Sequence, residues 1–205
     1  MSVVRGRALM RLIWLRHGET TANREKRYCG HLDPSLTTRG REQAKTAFRS
    51  VSPQVRPHVL HISDRSRCEE TATPWLRDHP DLPVVRTPAL RELSFGAWEG
   101  KTYDELMESD QEHLQAWIRD PWQVAPPGGE TLTDLGRRLE RWLHRLLQSH
   151  DEGETVLVVS HGGPIRWFYA CLVAGDPGRF WDRDVMPGSW FVFRHHDGKW
   201  REEGI

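Results

Sequence analysis

Three short apolar runs stand out along the chain, and each gives way abruptly to polar or glycine-containing sequence. They cover residues 12–15, residues 59–62 with His61 among three apolar residues, and residues 156–159. Continuous apolar runs of this length, bounded by turn-forming residues, are typical of strands that are buried on both faces of a parallel sheet. The pattern therefore predicts three central, parallel strands.

The sequence between and after these strands has a helical pattern. Apolar positions recur every three or four residues most clearly in residues 131–149, where leucine and tryptophan form one face. Helices are predicted at residues 41–51, 68–78, 102–120 with a break, 131–149 and 164–174. Residues 189–194 and 199–203, joined by the turn residues 196–198, predict a hairpin at the edge of the sheet. Strands that alternate with helices indicate a layered α/β domain with a mostly parallel sheet.

A single domain over residues 1–205 is expected, because this length lies within the usual range for one hydrophobic core. Within it, residues 98–129 contain three tryptophans and three prolines and interrupt the alternation of strands and helices. Insertions of this kind often cover functional sites. We therefore interpret residues 98–129 as a cap.

Composition and charge argue against some classes of binding partner. The chain is 37% hydrophobic and 28% charged, as a globular protein is, and it has 29 basic and 29 acidic residues. Because there is no net positive field, neither a nucleic acid nor a membrane is expected as a partner.

The first 15 residues resemble neither a membrane span nor a signal peptide. The three cysteines are widely spaced, which argues against disulfides and structural zinc and indicates a cytoplasmic location.

The residues that follow the three strands carry the candidate chemistry. Arg16 and His17 follow the first, Arg67 follows the second, and His161 and Gly162 follow the third. The carboxyl ends of parallel strands meet at one edge of the sheet, so these side chains are expected to lie close together. Arginine matches phosphate oxygens, and an unprotonated imidazole can accept a phosphoryl group. The pattern predicts a phosphate pocket with His17 as the better candidate nucleophile.

A fourth segment, residues 90–100, places carboxylates beside apolar and aromatic residues. A carboxyl group in such surroundings can have a raised pKa and protonate a leaving alkoxide. Spacing alone makes Glu92 and Glu99 equal candidates for this role, and an ordinary charged loop explains the segment equally well.

Six motifs, in this order along the chain, resemble the histidine phosphatase superfamily, also called the phosphoglycerate mutase-like family. They read RHGETTAN, YCGHLDPSLTTRGREQA, SDRSRCEETA, LRELSFGAWEG, PPGGETLTDLGRR and VVSHGGPIR. The resemblance implies a three-layer α/β sandwich in which a mixed, mainly parallel sheet has helices on both faces. It also implies an enzyme that needs no metal and no cofactor.

The resemblance assigns roles to individual residues. It implies that His17 is the nucleophile, that Arg16, Arg67 and His161 bind the phosphoryl oxygens, and that Glu92 is the general acid. Further residues implied at the substrate are Thr20, Asn23 and the backbone N–H of Gly162.

The sequence leaves the roles of two residues, Arg65 and Cys29, undecided. Arg65 occupies a place where many family members have an apolar residue, so Arg65 and Arg67 are both candidates for the second phosphoryl ligand. Cys29 lies in a loop that should approach the substrate, where it is either a reactive thiol or a buried small apolar residue.

The sequence therefore predicts a phosphomonoester hydrolase that acts on a small phosphorylated metabolite through a phosphohistidine. The GGET segment and residues 188–190 resemble the α-ribazole phosphatase branch and also broad-specificity bacterial phosphatases. Two alternatives are a cofactor-dependent phosphoglycerate mutase and a noncatalytic phosphate-binding module. The edge hairpin also makes a homodimer possible.

Overall fold

The computed structural model describes residues 10–53, 55–150 and 153–204. The prediction that the first 15 residues form no signal peptide or membrane span lies outside the described residues, apart from residues 10–15. No helix in the described ranges is both long enough and apolar enough to cross a membrane.

The described residues form one six-stranded mixed sheet with the strand order β3-β2-β4-β1-β5-β6. The strands are β1 Met10–Arg16, β2 Val59–Ser63, β3 Val84–Thr87, β4 Thr155–Ser160, β5 Trp190–His196 and β6 Lys199–Glu203. The first four strands of the spatial order run parallel to one another, whereas β5 runs antiparallel to β1 and β6 antiparallel to β5. The predicted mainly parallel sheet and its edge hairpin are confirmed.

Helices cover both faces of this sheet. They are α1 Thr21–Arg24, α2 Thr38–Val51, α3 Ser66–Asp78, α4 Tyr103–Ser109, α5 Gln111–Arg119, α6 Leu132–Ser149 and α7 Gly162–Trp167, which continues as a π-helical segment, Phe168–Val173. Side chains of β1 alternate between the two faces, as a strand requires. Ile13 and Leu15 pack with α2 and α3, whereas Leu12 and Trp14 pack with α6 and α7. The result is the expected three-layer α/β sandwich.

One strand and one helix were not predicted from the pattern. Strand β3 lies at the sheet edge, and two of its four residues are exposed, so it lacks the continuous apolar run that marks a buried strand. Helix α1 is a single turn, too short for a periodicity to be recognised. It forms because Thr20 and Asn23 build a capping box at its start.

The segment of residues 98–129 folds as the two short helices α4 and α5, with a break at Asp110 as the pattern predicted. Its tryptophans face inward. Trp98 and Trp117 are 1% and 7% exposed, and their rings meet edge to face with centroids 5.8 Å apart. The three tryptophans that suggested a cap therefore serve mainly as packing, and the role of the segment as a cap stays a prediction.

Candidate active site

Two histidines meet where β1 and β4 end. The ring centroids of His17 and His161 are 5.0 Å apart, and both side chains are almost fully buried. The approach follows from the parallel pairing of the two strands, which sets Arg16 beside Ser160, and the N–H of His17 donates to the carbonyl of Ser160. The strand ends thus bring together the two imidazoles that the sequence placed there.

A hydrogen bond fixes the tautomer of His17. Its Nδ1 lies 2.7 Å from the carbonyl oxygen of Gly18, and because a carbonyl can only accept, Nδ1 carries the proton. Burial, together with the charges of Arg67 and Arg16, holds the pKa of His17 well below its usual value. At neutral pH the ring is therefore uncharged, with an unshared electron pair on Nε2. This is the form that a nucleophile requires.

The buried imidazoles make stability depend on pH. Burial lowers the pKa of His17 and His161 well below the usual value, and it lowers that of His61 to about 4. As pH falls below about 6.5, the unfolded chain takes up these protons before the folded chain does, so the free energy of unfolding decreases. Above about pH 6.5 the three imidazoles are unprotonated in both states, so they no longer lower the free energy of unfolding.

We expect His17→Asn to weaken this pH dependence, because the variant has one buried imidazole fewer. Between pH 6 and pH 5 its free energy of unfolding should fall less steeply than that of the wild type, by about 1 kcal/mol per pH unit. Urea unfolding at several pH values measures this. The exposed His144 provides the control, since His144→Asn should keep the wild-type slope. Equal slopes for wild type and His17→Asn would contradict the assignment of a depressed pKa.

Arg16 presents an unused donor to the site. Its Nη1 donates to the carbonyl of Val185 at 2.5 Å, whereas its Nε is buried and has no hydrogen-bond partner. The guanidinium lies beside the start of α7, since a Cβ atom on Gly162 would be 3.6 Å from its Cζ. An arginine donor and a helix N-terminus side by side are suited to hold an anion.

Arg67, rather than Arg65, reaches the histidines. Its side chain is 1% exposed, and its Nε lies 3.3 Å from Nδ1 of His161. Arg65 instead caps α3 with its backbone, and its Nε lies 3.9 Å from Asp64. The geometry brings Arg67 into the site and leaves Arg65 outside it.

The two candidate carboxylates occupy different places. Both oxygens of Glu92 accept from the N–H of Gly163, at 3.1 and 3.0 Å, in the first turn of α7. A Cβ atom on Gly163 would lie only 2.1 Å from a Glu92 oxygen, so the approach requires glycine. Glu99 turns away and accepts from backbone N–H groups of residues 30–32. Only Glu92 lies next to the helix terminus that borders the histidines.

Thr20 and Asn23 take up different positions. The hydroxyl of Thr20 donates to Oδ1 of Asn23 and accepts from its N–H, so it is occupied in capping α1. Asn23 lines an outer pocket of about 280 Å³ that opens over Arg16 and Glu92. The remaining lining residues are Lys26, Arg27, Tyr28, Cys29, Phe95 and Tyr103.

The aromatic wall of this pocket was not predicted. Tyr28 and Phe95 contact each other with ring centroids 5.0 Å apart, and Tyr103, 48% exposed, stands at the first position of α4. Trp98 and Trp117 are buried behind this wall and do not line the pocket. The positions of Tyr28 and Phe95 inside two of the recognised motifs were the available signal.

The cysteines near the site stay protonated. Burial raises the pKa of Cys29 to about 11 and that of Cys68 to about 12, so neither is a thiolate at neutral pH. For Cys29 this favours the reading as a partly buried small residue over that of a reactive thiol. Within the described ranges, no three His, Cys, Asp or Glu side chains come together in a way that could hold a metal ion.

Comparisons with known proteins extend over nearly the whole chain. The sequence model of the histidine phosphatase superfamily (branch 1) matches residues 12–205. The adenosylcobalamin/alpha-ribazole phosphatase of Escherichia coli (strain K12) is 37% identical over 182 residues, 88% of this chain and 88% of that protein. Phosphoserine phosphatase 1 of Hydrogenobacter thermophilus is 34% identical over 186 residues, 90% of this chain and 86% of that protein. The crystal structure of the alpha-ribazole phosphatase from Shigella flexneri is similar with a TM-score of 0.86 and 34% identity, and 95% of each chain is covered.

Proposed function

Since this chain belongs to branch 1 of the histidine phosphatase superfamily, we propose that it hydrolyses a small phosphate monoester through a phosphohistidine on His17. The family resemblance predicted from the motifs is confirmed, and the chain is a phosphatase of the histidine phosphatase type. The observation that carries the proposal is the hydrogen bond from His17 Nδ1 to the Gly18 carbonyl, which leaves Nε2 free beside His161 and two guanidiniums.

In the first step, Arg16 and Arg67 bind the phosphoryl oxygens beside His161, while Nε2 of His17 attacks phosphorus. The bond between phosphorus and the ester oxygen breaks, and Glu92 gives that oxygen its proton. In the second step, the Glu92 carboxylate takes a proton from water, the hydroxide attacks phosphorus, and the bond to His17 breaks to release inorganic phosphate. The arginines stabilise the charge on the phosphoryl oxygens in both steps.

The outer pocket favours hydrolysis over transfer to a second anionic substrate. A mutase must hold an acceptor that bears its own phosphate or carboxylate, which requires free cations near the site. Here Arg27 is engaged by Glu25 at 2.9 Å, by Glu105 at 3.1 Å and by the carbonyl of Gly100 at 2.7 Å. Lys26 also lines the pocket, but its ammonium is exposed, and water and salt screen the charge of an exposed group.

Enzyme primed with 2,3-bisphosphoglycerate and given 3-phosphoglycerate separates these reactions. We expect release of inorganic phosphate without isomer interconversion. Interconversion without phosphate release would support the mutase, and phosphate affinity with no turnover of p-nitrophenyl phosphate would support a noncatalytic module.

We also propose that the leaving group of the substrate contains a flat ring. The leading candidate for the substrate is α-ribazole 5'-phosphate. Relatives from Escherichia coli and Shigella flexneri carry the name of α-ribazole phosphatase. In this chain, Tyr28, Phe95 and Tyr103 line the outer pocket, and aromatic side chains favour contact with flat rings. The kcat/KM values for α-ribazole 5'-phosphate, phosphoserine and 3-phosphoglycerate rank the candidates directly.

Replacing Tyr103 tests the ring contact with little risk to the fold, because this side chain is 48% exposed. We expect Tyr103→Ala to lower kcat/KM for α-ribazole 5'-phosphate by roughly tenfold, and that for glycerol phosphate by less than about twofold. Tyr103→Phe should keep both values. Ile118→Ala, a change at another exposed apolar position, is the distant control. Equal losses on both substrates would argue against a ring contact at this wall.

We further propose a cytoplasmic location, which the three free thiols Cys29, Cys68 and Cys171 support. A homodimer is proposed through the edge strand β6, whose partner within the chain is β5 on one side. Light scattering of the purified chain over a range of concentrations gives the oligomeric state.

A further inference from the structure

The carboxylate of Glu99 gathers an unusual number of backbone donors. Its Oε1 accepts from the N–H of His31 at 2.7 Å and of Phe95 at 3.1 Å. Its Oε2 accepts from the N–H of Gly30 at 3.0 Å and of Leu32 at 3.2 Å. Hydrogen bonds to an ionised carboxylate are stronger than those between neutral groups. Glu99 therefore fixes the backbone of residues 30–32.

The same loop holds the guanidinium of Arg67 from its other side. Nη2 of Arg67 donates to the carbonyl of Gly30 at 2.7 Å, and Nη1 donates to the carbonyl of Leu32 at 2.6 Å. The side chain is 1% exposed, and the nearest carboxylate oxygen, on Asp33, is 3.7 Å away. The loop carbonyls thus set the place of this guanidinium.

One peptide group joins the two charges. The carbonyl of Gly30 and the N–H of His31 belong to the same planar unit, so its oxygen accepts from Arg67 while its nitrogen donates to Glu99. Each hydrogen bond polarises the peptide in the direction that strengthens the other. A carboxylate, a peptide dipole and a guanidinium are thereby aligned.

The loop has no room to move toward the segment that carries Glu92. A Cβ atom on Gly30 would lie 1.9 Å from the carbonyl oxygen of Leu93 and 2.8 Å from Oε1 of Glu99. The backbone of residue 30 is therefore pressed against the residue that follows Glu92. A shift of the loop would displace Arg67 and disturb the neighbourhood of Glu92 as well.

We propose that Glu99 is a positioning residue, which holds the guanidinium of Arg67 in place for the phosphoryl group through the peptide between Gly30 and His31. This inference rests on the proposed function, because it takes Arg67 as a ligand of the phosphoryl oxygens. Glu99 itself does not touch the substrate. Its removal is expected to weaken phosphoryl binding through Arg67.

A double-mutant cycle with Glu99→Gln and Arg67→Lys tests this coupling. The glutamine keeps the size of the side chain but loses the charge and one acceptor, and lysine cannot donate to two carbonyls as the guanidinium fork does. Calorimetric titration with orthovanadate, a mimic of the transferring phosphoryl group, measures the binding site itself. We expect Glu99→Gln to weaken orthovanadate binding roughly tenfold in the wild-type background and less than about twofold in the Arg67→Lys background.

Asp134→Asn is the matched control for a general loss of stability. Asp134 also accepts from a backbone N–H, that of Thr131, but it does so at the start of α6 and not in the loop that holds Arg67. Its replacement should lower the melting temperature and leave orthovanadate affinity unchanged. If Glu99→Gln does not fold, Glu99→Asp takes its place, since the shorter side chain cannot reach all four donors, and the same non-additivity is expected.

Equal losses of orthovanadate affinity in both backgrounds, or no loss in either, would overturn the positioning role while leaving the proposed function intact. A wild-type chain that binds neither phosphate nor orthovanadate and turns over no phosphate ester would instead refute the proposed function, and this inference with it.

Discussion

Replacing His17 with alanine should reduce turnover of every phosphate monoester by at least about 10⁴-fold, because the variant has no atom that can accept the phosphoryl group. The loss should appear in kcat for good and poor leaving groups alike. Binding should survive, since Arg16, Arg67 and the start of α7 remain, and orthovanadate titration of the variant measures this directly. The fold should survive too, because the side-chain hydrogen bond that His17 makes is to the neighbouring Gly18.

Circular dichroism and the melting temperature verify that the His17→Ala chain is folded before its activity is compared. His144→Ala, at an exposed position on α6, should retain full activity. If the folded His17→Ala variant kept more than a few per cent of wild-type kcat, another residue would have to carry the phosphoryl group.

The second large effect is expected for Glu92→Gln, which cannot donate the proton that an alkoxide leaving group needs. We expect kcat/KM for an alkyl phosphate to fall by about 10²- to 10⁴-fold. The loss with p-nitrophenyl phosphate should be smaller by at least about tenfold, because p-nitrophenolate leaves without a proton. Dephosphorylation should also slow, since no carboxylate is left to take a proton from water. A burst of p-nitrophenolate in rapid mixing would reveal the accumulated intermediate.

Equal losses on both substrates would remove Glu92 from the role of general acid. Glu99→Gln offers the comparison within the same segment, because it should affect both substrates to the same extent by way of Arg67. The ratio of the two kcat/KM values, rather than the absolute loss, therefore distinguishes proton donation by Glu92 from positioning by Glu99.

Much of the fold follows from local patterns in the sequence. The strands at the centre of the sheet read as continuous apolar runs because helices cover them on both faces, and β4 is buried at every position. Helix α6 was predictable because its apolar face repeats and Thr131 and Asp134 cap its start. Strand β3 was missed because its position at the edge of the sheet leaves half of its residues exposed, which removes the signal.

Less of the candidate site than of the fold could be predicted from the sequence. That strand ends converge is a general property of parallel sheets, so the meeting of His17, Arg67 and His161 could be expected from sequence. The tautomer of His17 could not, because it depends on where the Gly18 carbonyl points. The contacts of Glu99 depend in the same way on the path of the loop of residues 30–32, which no sequence pattern indicates.

The aromatic residues illustrate the same limit. The tryptophans of residues 98–129 bury their large apolar rings, and Trp98 and Trp117 pack behind the pocket wall against Tyr28. Tyr103 reaches the outer pocket because it begins α4, where its side chain is half exposed. Which aromatic residue faces solvent is decided by helix placement, which composition does not reveal.

The central claim is that His17 carries the phosphoryl group, and mapping the phosphoenzyme tests it most directly. Wild type and Glu92→Gln would be mixed briefly with a ³²P-labelled substrate, quenched in alkali, digested and analysed by mass spectrometry. The account predicts an acid-labile, alkali-stable label on the peptide that contains His17, more abundant in Glu92→Gln and absent from His17→Ala. A label on any other residue, such as His161 or Cys29, would contradict it.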